Sequence, residues 1–274
     1  TKILREDLQW VPVETLKSGD KLISFDEYPV KKEGFKRNTR YWKTGTVLHS
    51  VVTNKPCAKV TLSTGDSLIV TWDHPWFVKR GEKTGRWVPT KHLKRGLSKI
   101  GKYLSVWETD SSYKGGWLSG IFDGEGVVPG KRTKNRIYIS RITICQNPGL
   151  IFNKIKEYLK SLNFHITESS GISMVGKPNG KITTKGGLPE ALRFLGTIRP
   201  FRYLDTFNAS MMHGMTLHTR EYATVIEIED VGECPIVLLG VDTKTYLAEG
   251  YGAHNSRNPH LVKYEIPLEA SVLF

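Results

Sequence analysis

The sequence predicts a β-rich protein interrupted midway by a compact α+β unit. Three observations carry this reading. Residues 1 to about 105 hold short runs of β-branched residues between turn signals, with little helical periodicity. Helical spacing takes over near Tyr113, and the β pattern returns from about Thr219. A host pattern that stops and resumes suggests an insertion into a surface loop, where extra chain is tolerated.

In the first segment the strand candidates are "KLISF", "GTVLHSVV", "CAKVTL" and "DSLIVTW", broken by "KSGD", "TNKP" and "STGD". A basic excursion from Lys31 to Lys43 interrupts them. In the middle segment, "YKGGWLSGIFDGEG" places Trp117, Leu118, Ile121 and Phe122 at helical spacing. A strand pair around "RIYISRITICQ" follows. Next comes a helix after Pro148 with Ile151, Ile155, Tyr158 and Leu159 on one face. A second strand pair runs through "ITESSGISMV" and "GKITTK", and "LPEALRFLG" and "RYLDTF" close the unit as helices. The order is α-β-β-α-β-β-α, an α+β arrangement. The last segment offers "YATVIEIEDVG", "PIVLLGV" and "TYLAEG" as strands.

The chain has 274 residues and a net charge of +13. That length can bury one or two cores. The positive charge favours a polyanionic partner, nucleic acid first, against a merely basic soluble surface. No apolar run approaches the roughly 18 residues that span a bilayer. The charged start, "TKILREDLQW", lacks a signal-peptide core. Cys57, Cys145 and Cys234 are odd in number and widely spaced, which predicts three buried free thiols in a reducing compartment.

Chemistry concentrates at "GYGAHNS", Gly250 to Ser256. The side-chain amide of Asn255 can attack its own backbone carbonyl, close a succinimide and expel the amine of Ser256. His254 can polarise the carbonyl or protonate the leaving nitrogen. The Ser256 hydroxyl can act as an acyl acceptor. A second cluster, "TGDSLIVTWDHPW", sets Thr71 and His74 at a strand end entering a turn. They suit activation of a peptide bond, or His74 simply belongs to its own turn.

Those blocks resemble an intein, a self-splicing insert. "TKILREDLQWVPVETLKSGDKLISFDE" resembles the family's N-terminal block, "TGDSLIVTWDHPWFV" the Thr-x-x-His block, and "IVLLGVDTKTYLAEGYGAHNS" the two C-terminal blocks. The resemblance covers nearly all of residues 1–256. It implies a β-rich Hint horseshoe in two parts, 1–108 and 219–255, and a host fragment at 256–274. It further implies that Thr71 and His74 activate the N-terminal junction, that His254 assists Asn255, and that Ser256 accepts the acyl group. Splicing then needs no cofactor. Two departures stand out. The family's nucleophile lies upstream of the segment that begins here at Thr1, so this chain is not expected to splice. Lys244 replaces a histidine common in the penultimate block, which leaves Asp242 as a candidate helper.

"LSGIFDGEG" resembles the LAGLIDADG motif of homing endonucleases, which assigns 109–218 to such a domain. Gly116, Gly120 and Gly124 recur every four residues and line one helix face, open to close approach by another helix. Asp123 and Glu125 fall at the helix C-terminus, where the dipole disfavours acids and a cation is wanted. By resemblance, Glu125 is the Mg²⁺-binding acid, Gln146 a polar member of the same site, and Arg199 or Arg202 its basic member. One motif implies a homodimer acting on double-stranded DNA. Lys131, Arg132, Lys134, Arg136, Arg141, Lys177, Lys181 and Lys185 are the expected DNA-facing residues. The alternatives are a DNA-binding insert that no longer cuts and, less well matched, an autoprocessing Hint domain. The expected compartment is the cytoplasm of a microbial or phage-infected cell.

Overall fold

Apolar alternation in short runs produces antiparallel strands wherever one face can reach a core. In the computed structural model, which describes residues 1–31, 38–80, 84–127, 141–172, 176 and 178–255, such strands dominate. The first segment gives β1 (Lys2–Leu4), β2 (Trp10–Pro12), β3 (Lys21–Phe25), β4 (Trp42–Leu62), β5 (Ser67–Thr71), β6 (Pro75–Arg80), β7 (Thr84–Pro89) and β8 (Lys99–Lys102). Then come α1 (Tyr113–Glu125), β9 (Gly126–Val127), β10 (Thr143–Gln146), α2 (Leu150–Ser161), β11 (Ile166–Ile172), β12 (Pro178–Thr184), α3 (Gly187–Ile198) and α4 (Phe201–Thr206). The chain returns to β with β13 (Glu221–Val241), β14 (Thr245–Ala248) and β15 (Tyr251–His254).

Segments from both ends of the sequence build one sheet, in the order β2-β1-β14-β15-β6-β8-β13-β4-β3, with β5 added to β4 and β7 to β6. A separate four-stranded antiparallel sheet, β11-β12-β10-β9, belongs to the middle segment. Among the described residues its order of elements follows the α-β-β-α-β-β-α expectation, with both expected closing helices present as α3 and α4, while the "RIYIS" part of the first expected strand pair lies outside the described residues.

Two strands run further than their sequence suggests. "TNKP" does not end a strand, and β4 continues through Pro56. "YATVIEIEDVG" and "PIVLLGV" are one strand, β13, which passes Pro235 opposite Asn54. Both prolines sit where β4 and β13 pair mainly with each other, beyond the residues that β5, β3 and β8 cover. A strand with an open edge tolerates a residue that lacks an N–H. On α2 the buried face is Phe152, Ile155, Tyr158 and Leu159, whereas Ile151 is half exposed. Of the three cysteines, all free, only Cys57 is buried.

One core joins the two parts. Leu4, Leu8, Phe25 and Trp107 cluster with Leu118, Phe122, Phe194 and Leu195. Gly196 of α3 makes the closest seam. A Cβ there would lie 1.9 Å from Trp107 Nε1, which donates to the Leu8 carbonyl at 2.9 Å. Arg199, in left-handed backbone at φ 53°, donates from Nη1 to the Asp7 carbonyl at 3.0 Å. No helix among the described residues is long and apolar enough to cross a membrane.

Candidate functional site

The sheet order explains how His254 meets residues far away in sequence. β14 and β15 form a hairpin with Thr245 opposite His254. β15 also pairs with β6, Ala253 opposite Trp76, so the end of β15 runs beside the turn that carries His74. That turn is tied by the His74 N–H to the Thr71 carbonyl at 3.0 Å. The Thr90 N–H reaches the His74 carbonyl at 3.0 Å, and the Lys91 N–H the Trp72 carbonyl at 3.0 Å. Thr71 is buried. The His74 ring stands edge-on to Trp76, with centroids 5.2 Å apart.

Burial lowers the His74 pKa from 6.5 to about 4. The nearby charge of Asp73 opposes this and that of His254 adds to it. His74 is therefore a neutral imidazole at neutral pH, able to take or pass a proton without holding a fixed charge.

His254 lies between two oxygens. Its Nδ1 is 3.1 Å from the Asn255 carbonyl oxygen, and its Nε2 is 2.9 Å from Glu27 Oε1. A carbonyl oxygen can only accept, so Nδ1 carries the hydrogen. Trp87 packs beside this ring in a T-shaped arrangement, its centroid 5.0 Å from that of His254. Glu27 follows β3, and its other oxygen lies 3.4 Å from Lys244 Nζ. Partial burial works against its ionisation, but hydrogen bonds from His254 and Tyr28 and the charges of His254 and Lys244 outweigh that. Its carboxyl stays below the usual carboxylate value.

Asn255 is held at three points. Its N–H donates to the Lys244 carbonyl at 2.9 Å. Its side chain pairs with the Val241 backbone: Nδ2 donates to the carbonyl at 2.8 Å, and Oδ1 accepts from the N–H at 3.0 Å. Only one amide orientation satisfies both, so the nitrogen is identified by its partners. Lys244 reaches this position in left-handed backbone at φ 63°.

The sequence-predicted residues divide clearly. His74, His254 and Asn255 are brought together, with Thr71 at the base of the same turn. Ser256 lies outside the described residues. Asp242 is engaged elsewhere: its Oδ1 accepts from the Thr46 N–H at 2.9 Å and from its neighbour Thr243 N–H at 2.6 Å, which fastens the turn to β4. The carboxylate that lies against His254 is Glu27. Its only sequence signal is an acid after the "KLISF" strand, and nothing local connects it to residue 254. Thr1 does not share the site. β1 pairs Ile3 with Ala248, so Thr1 lies roughly 17 Å along the sheet from the level of Thr245 and His254, at about 3.3 Å per residue.

In the middle segment, Gly116, Gly120 and Gly124 are exposed, and a Cβ at each would meet nothing within 4 Å. Asp123 is engaged by α4. Its two oxygens accept from the Phe201 N–H at 2.9 Å and the Arg202 N–H at 2.8 Å, so it caps α4. The N-terminus of that helix offsets the acid's charge at the end of α1. Glu125 is exposed. Gly126 pairs with Ile144, which sets Glu125 and Gln146 at the same end of β9 and β10. Gln146 Oε1 accepts from the Asn147 N–H at 2.9 Å. Arg199 is docked on Asp7, away from that end, while Arg202 Nη2 donates to the Gly126 carbonyl at 2.6 Å beside it. Among the described residues no group of three His, Cys, Asp or Glu side chains could hold a metal ion. Arg141, Lys181 and Lys185 are exposed. Lys131, Arg132, Lys134, Arg136 and Lys177 lie outside the described residues.

No family model and no curated protein matches the chain in sequence. Among solved structures it is similar to the G-1F mutant of the Ssp DnaB mini-intein variant M86, at 10% identity, with 94% of this chain and 100% of that chain covered and a TM-score of 0.41. It is also similar to a DnaB intein from Synechocystis sp. PCC 6803, at 8% identity, covering 94% of this chain and 100% of that one, TM-score 0.39. An intein-like domain from Clostridium thermocellum is 27% identical over 38% of this chain and 62% of its own, TM-score 0.27. At such scores the likeness assigns no residue and no activity by itself.

Proposed function

We propose that the chain is an intein-type splicing element that cuts the bond after Asn255 by cyclisation. The observation that supports this most is the His254 Nδ1 hydrogen bond to the Asn255 carbonyl oxygen at 3.1 Å. That carbonyl is the one the side-chain amide must attack, and a donor already rests on its oxygen. In the proposed step Asn255 Nδ2 bonds to the Asn255 carbonyl carbon while the C–N bond to Ser256 breaks. One Nδ2 hydrogen ends on the Ser256 nitrogen. The products are a C-terminal aminosuccinimide and a free Ser256 amine. The Lys244 carbonyl and the Val241 backbone keep the reacting residue in one place, which supplies the proximity the ring closure needs. Thr71 and neutral His74 are proposed to serve the N-terminal junction of a longer precursor, with Ser256 as acyl acceptor. To test the cyclisation, the release of a fragment beginning at Ser256 is followed by mass spectrometry. Asn255→Ala should abolish it and His254→Ala should slow it on the order of 100-fold. Release at an unchanged rate in Asn255→Ala excludes the proposal.

For the inserted unit the proposal is a single-motif LAGLIDADG-type endonuclease, dimeric through α1 and acting on double-stranded DNA. Its support is the element order, the open glycine face of α1 and the exposed Glu125 at the end of that helix. One chain alone does not fit Mg²⁺: Asp123 is engaged by α4, and Glu125 has no second carboxylate grouped with it among the described residues. A second copy packed along the glycine face would have to bring the other acid. A duplex carrying the uninterrupted host sequence, incubated with Mg²⁺, tests this. Cutting lost in Glu125→Gln fits the reading, and binding without cutting points to a DNA-binding insert.

A further inference from the structure

We propose that Glu27 is a positioning residue that keeps His254 doubly protonated, so that its Nδ1–H stays on the Asn255 carbonyl oxygen. The proposal deepens the cyclisation reading above and rests on it for its role in the reaction.

Nδ1 meets a carbonyl oxygen and Nε2 a carboxylate oxygen. Both oxygens are acceptors, so only the imidazolium satisfies both contacts. A neutral ring would leave one short contact between two lone pairs. Glu27 itself is held firmly. Its backbone carbonyl accepts from Trp87 Nε1 at 3.2 Å and from Arg40 Nε and Nη2 at 3.2 Å each. Trp87 therefore ties down the Glu27 backbone through its nitrogen and flanks the histidine with its ring. With the Glu27 and His254 side chains only 17% and 15% exposed, their charges are weakly screened.

Other charged groups surround the ring. Lys244 Nζ lies 3.4 Å from the other Glu27 oxygen, so its positive charge pairs with the carboxylate. From the β5–β6 turn, His74 is neutral at neutral pH and Asp73 adds a negative charge beside it. Glu27 is thus the group whose removal would most change the ring's charge. The same contact pins the ring plane, as a carboxylate does for a histidine whose other nitrogen has work elsewhere.

The experiment uses the full chain and the variant Glu27→Gln. The ¹⁵N signals of the His254 ring are recorded near neutral pH in an Asn255→Ala background, so that no cleavage intervenes. Both ring nitrogens should be protonated with Glu27 present, and one should lose its proton in Glu27→Gln. Identical ring spectra overturn the proposal, whatever happens to cleavage. In the cleaving chain, Glu27→Gln should slow release of the Ser256 fragment by about 10-fold to 100-fold at neutral pH. The loss should shrink as the pH is lowered, because acid restores the imidazolium. A loss equal at every pH shows a merely structural role and sinks the idea. If Glu27→Gln does not fold, Glu27→Asp keeps the charge but shortens the reach, and a wild-type pH–rate profile in that variant counts against the assignment. Failure of all cleavage with altered ring spectra would refute the cyclisation reading and leave the ion pair standing.

Discussion

Acid should destabilise this protein through His74, by an amount the structure sets. Burial holds the imidazole neutral in the fold, while the unfolded chain protonates it at the ordinary value. Between those two pKa values the unfolded state binds more protons, so stability falls as the pH falls. With a folded pKa of about 4 against 6.5, the loss is about 1 kcal/mol near pH 6, about 2 near pH 5 and about 3 near pH 4. The residue keeps some contact with solvent, so these are upper figures. The contribution is complete above the unfolded value and lost on the acid side. Carboxylates titrate in the same range, so a single pH series cannot isolate it. Urea unfolding of the Asn255→Ala chain with and without His74→Gln can. The difference between the two should shift steadily with acid in favour of the glutamine variant. A difference that stays flat from neutral pH to about pH 4 would show that His74 is not held neutral by burial.

The remaining predictions concern packing. Thr245 is fully buried, donates to the Phe25 carbonyl and contacts Ser24 Oγ at 2.9 Å. Thr245→Val should cost about 2 kcal/mol and lower Tm by about 4–8 °C, as seen by thermal unfolding. An unchanged Tm would mean those polar groups find other partners. Gly196→Ala forces a Cβ to 1.9 Å from Trp107 Nε1 and should cost about 3 kcal/mol or more, since the Trp107 bond to Leu8 must break. Normal stability in that variant would show that α3 is not seated on the N-terminal segment. Gly120→Leu, on the open face of α1, should leave Tm within about 1 °C yet abolish self-association measured by sedentimetric or light-scattering mass. A dimer that survives it would place the contact elsewhere.

The sequence made the α+β unit readable because α2 and α3 carry strong helical periodicity and the turns between strands are marked. The long ribbon of β4 and β13 was not readable, because Pro56 and Pro235 imitate strand ends. Open-edge pairing, which makes them harmless, is a property of the sheet and not of the local residues. At the site, His254 and Asn255 could be named from their adjacency, and His74 from its turn. Glu27 could not, because 227 positions separate it from His254 and only the crossing of β3, β14 and β15 joins them. The donors on Asp123 were hidden for a similar reason. An acid at a helix end suggests a cation, but here the N-terminus of α4, more than seventy residues later, supplies the donors.

In the proposed reaction the Asn255 side chain, and not water, breaks the bond to Ser256. Mass spectrometry of the incubated full chain addresses this directly, read at the new C-terminus. Cyclisation gives a fragment ending at Asn255 that is lighter by one water than the free acid, the mark of an aminosuccinimide. A fragment ending in the free acid from the first time point onward, or the same cleavage in Asn255→Ala, would contradict it.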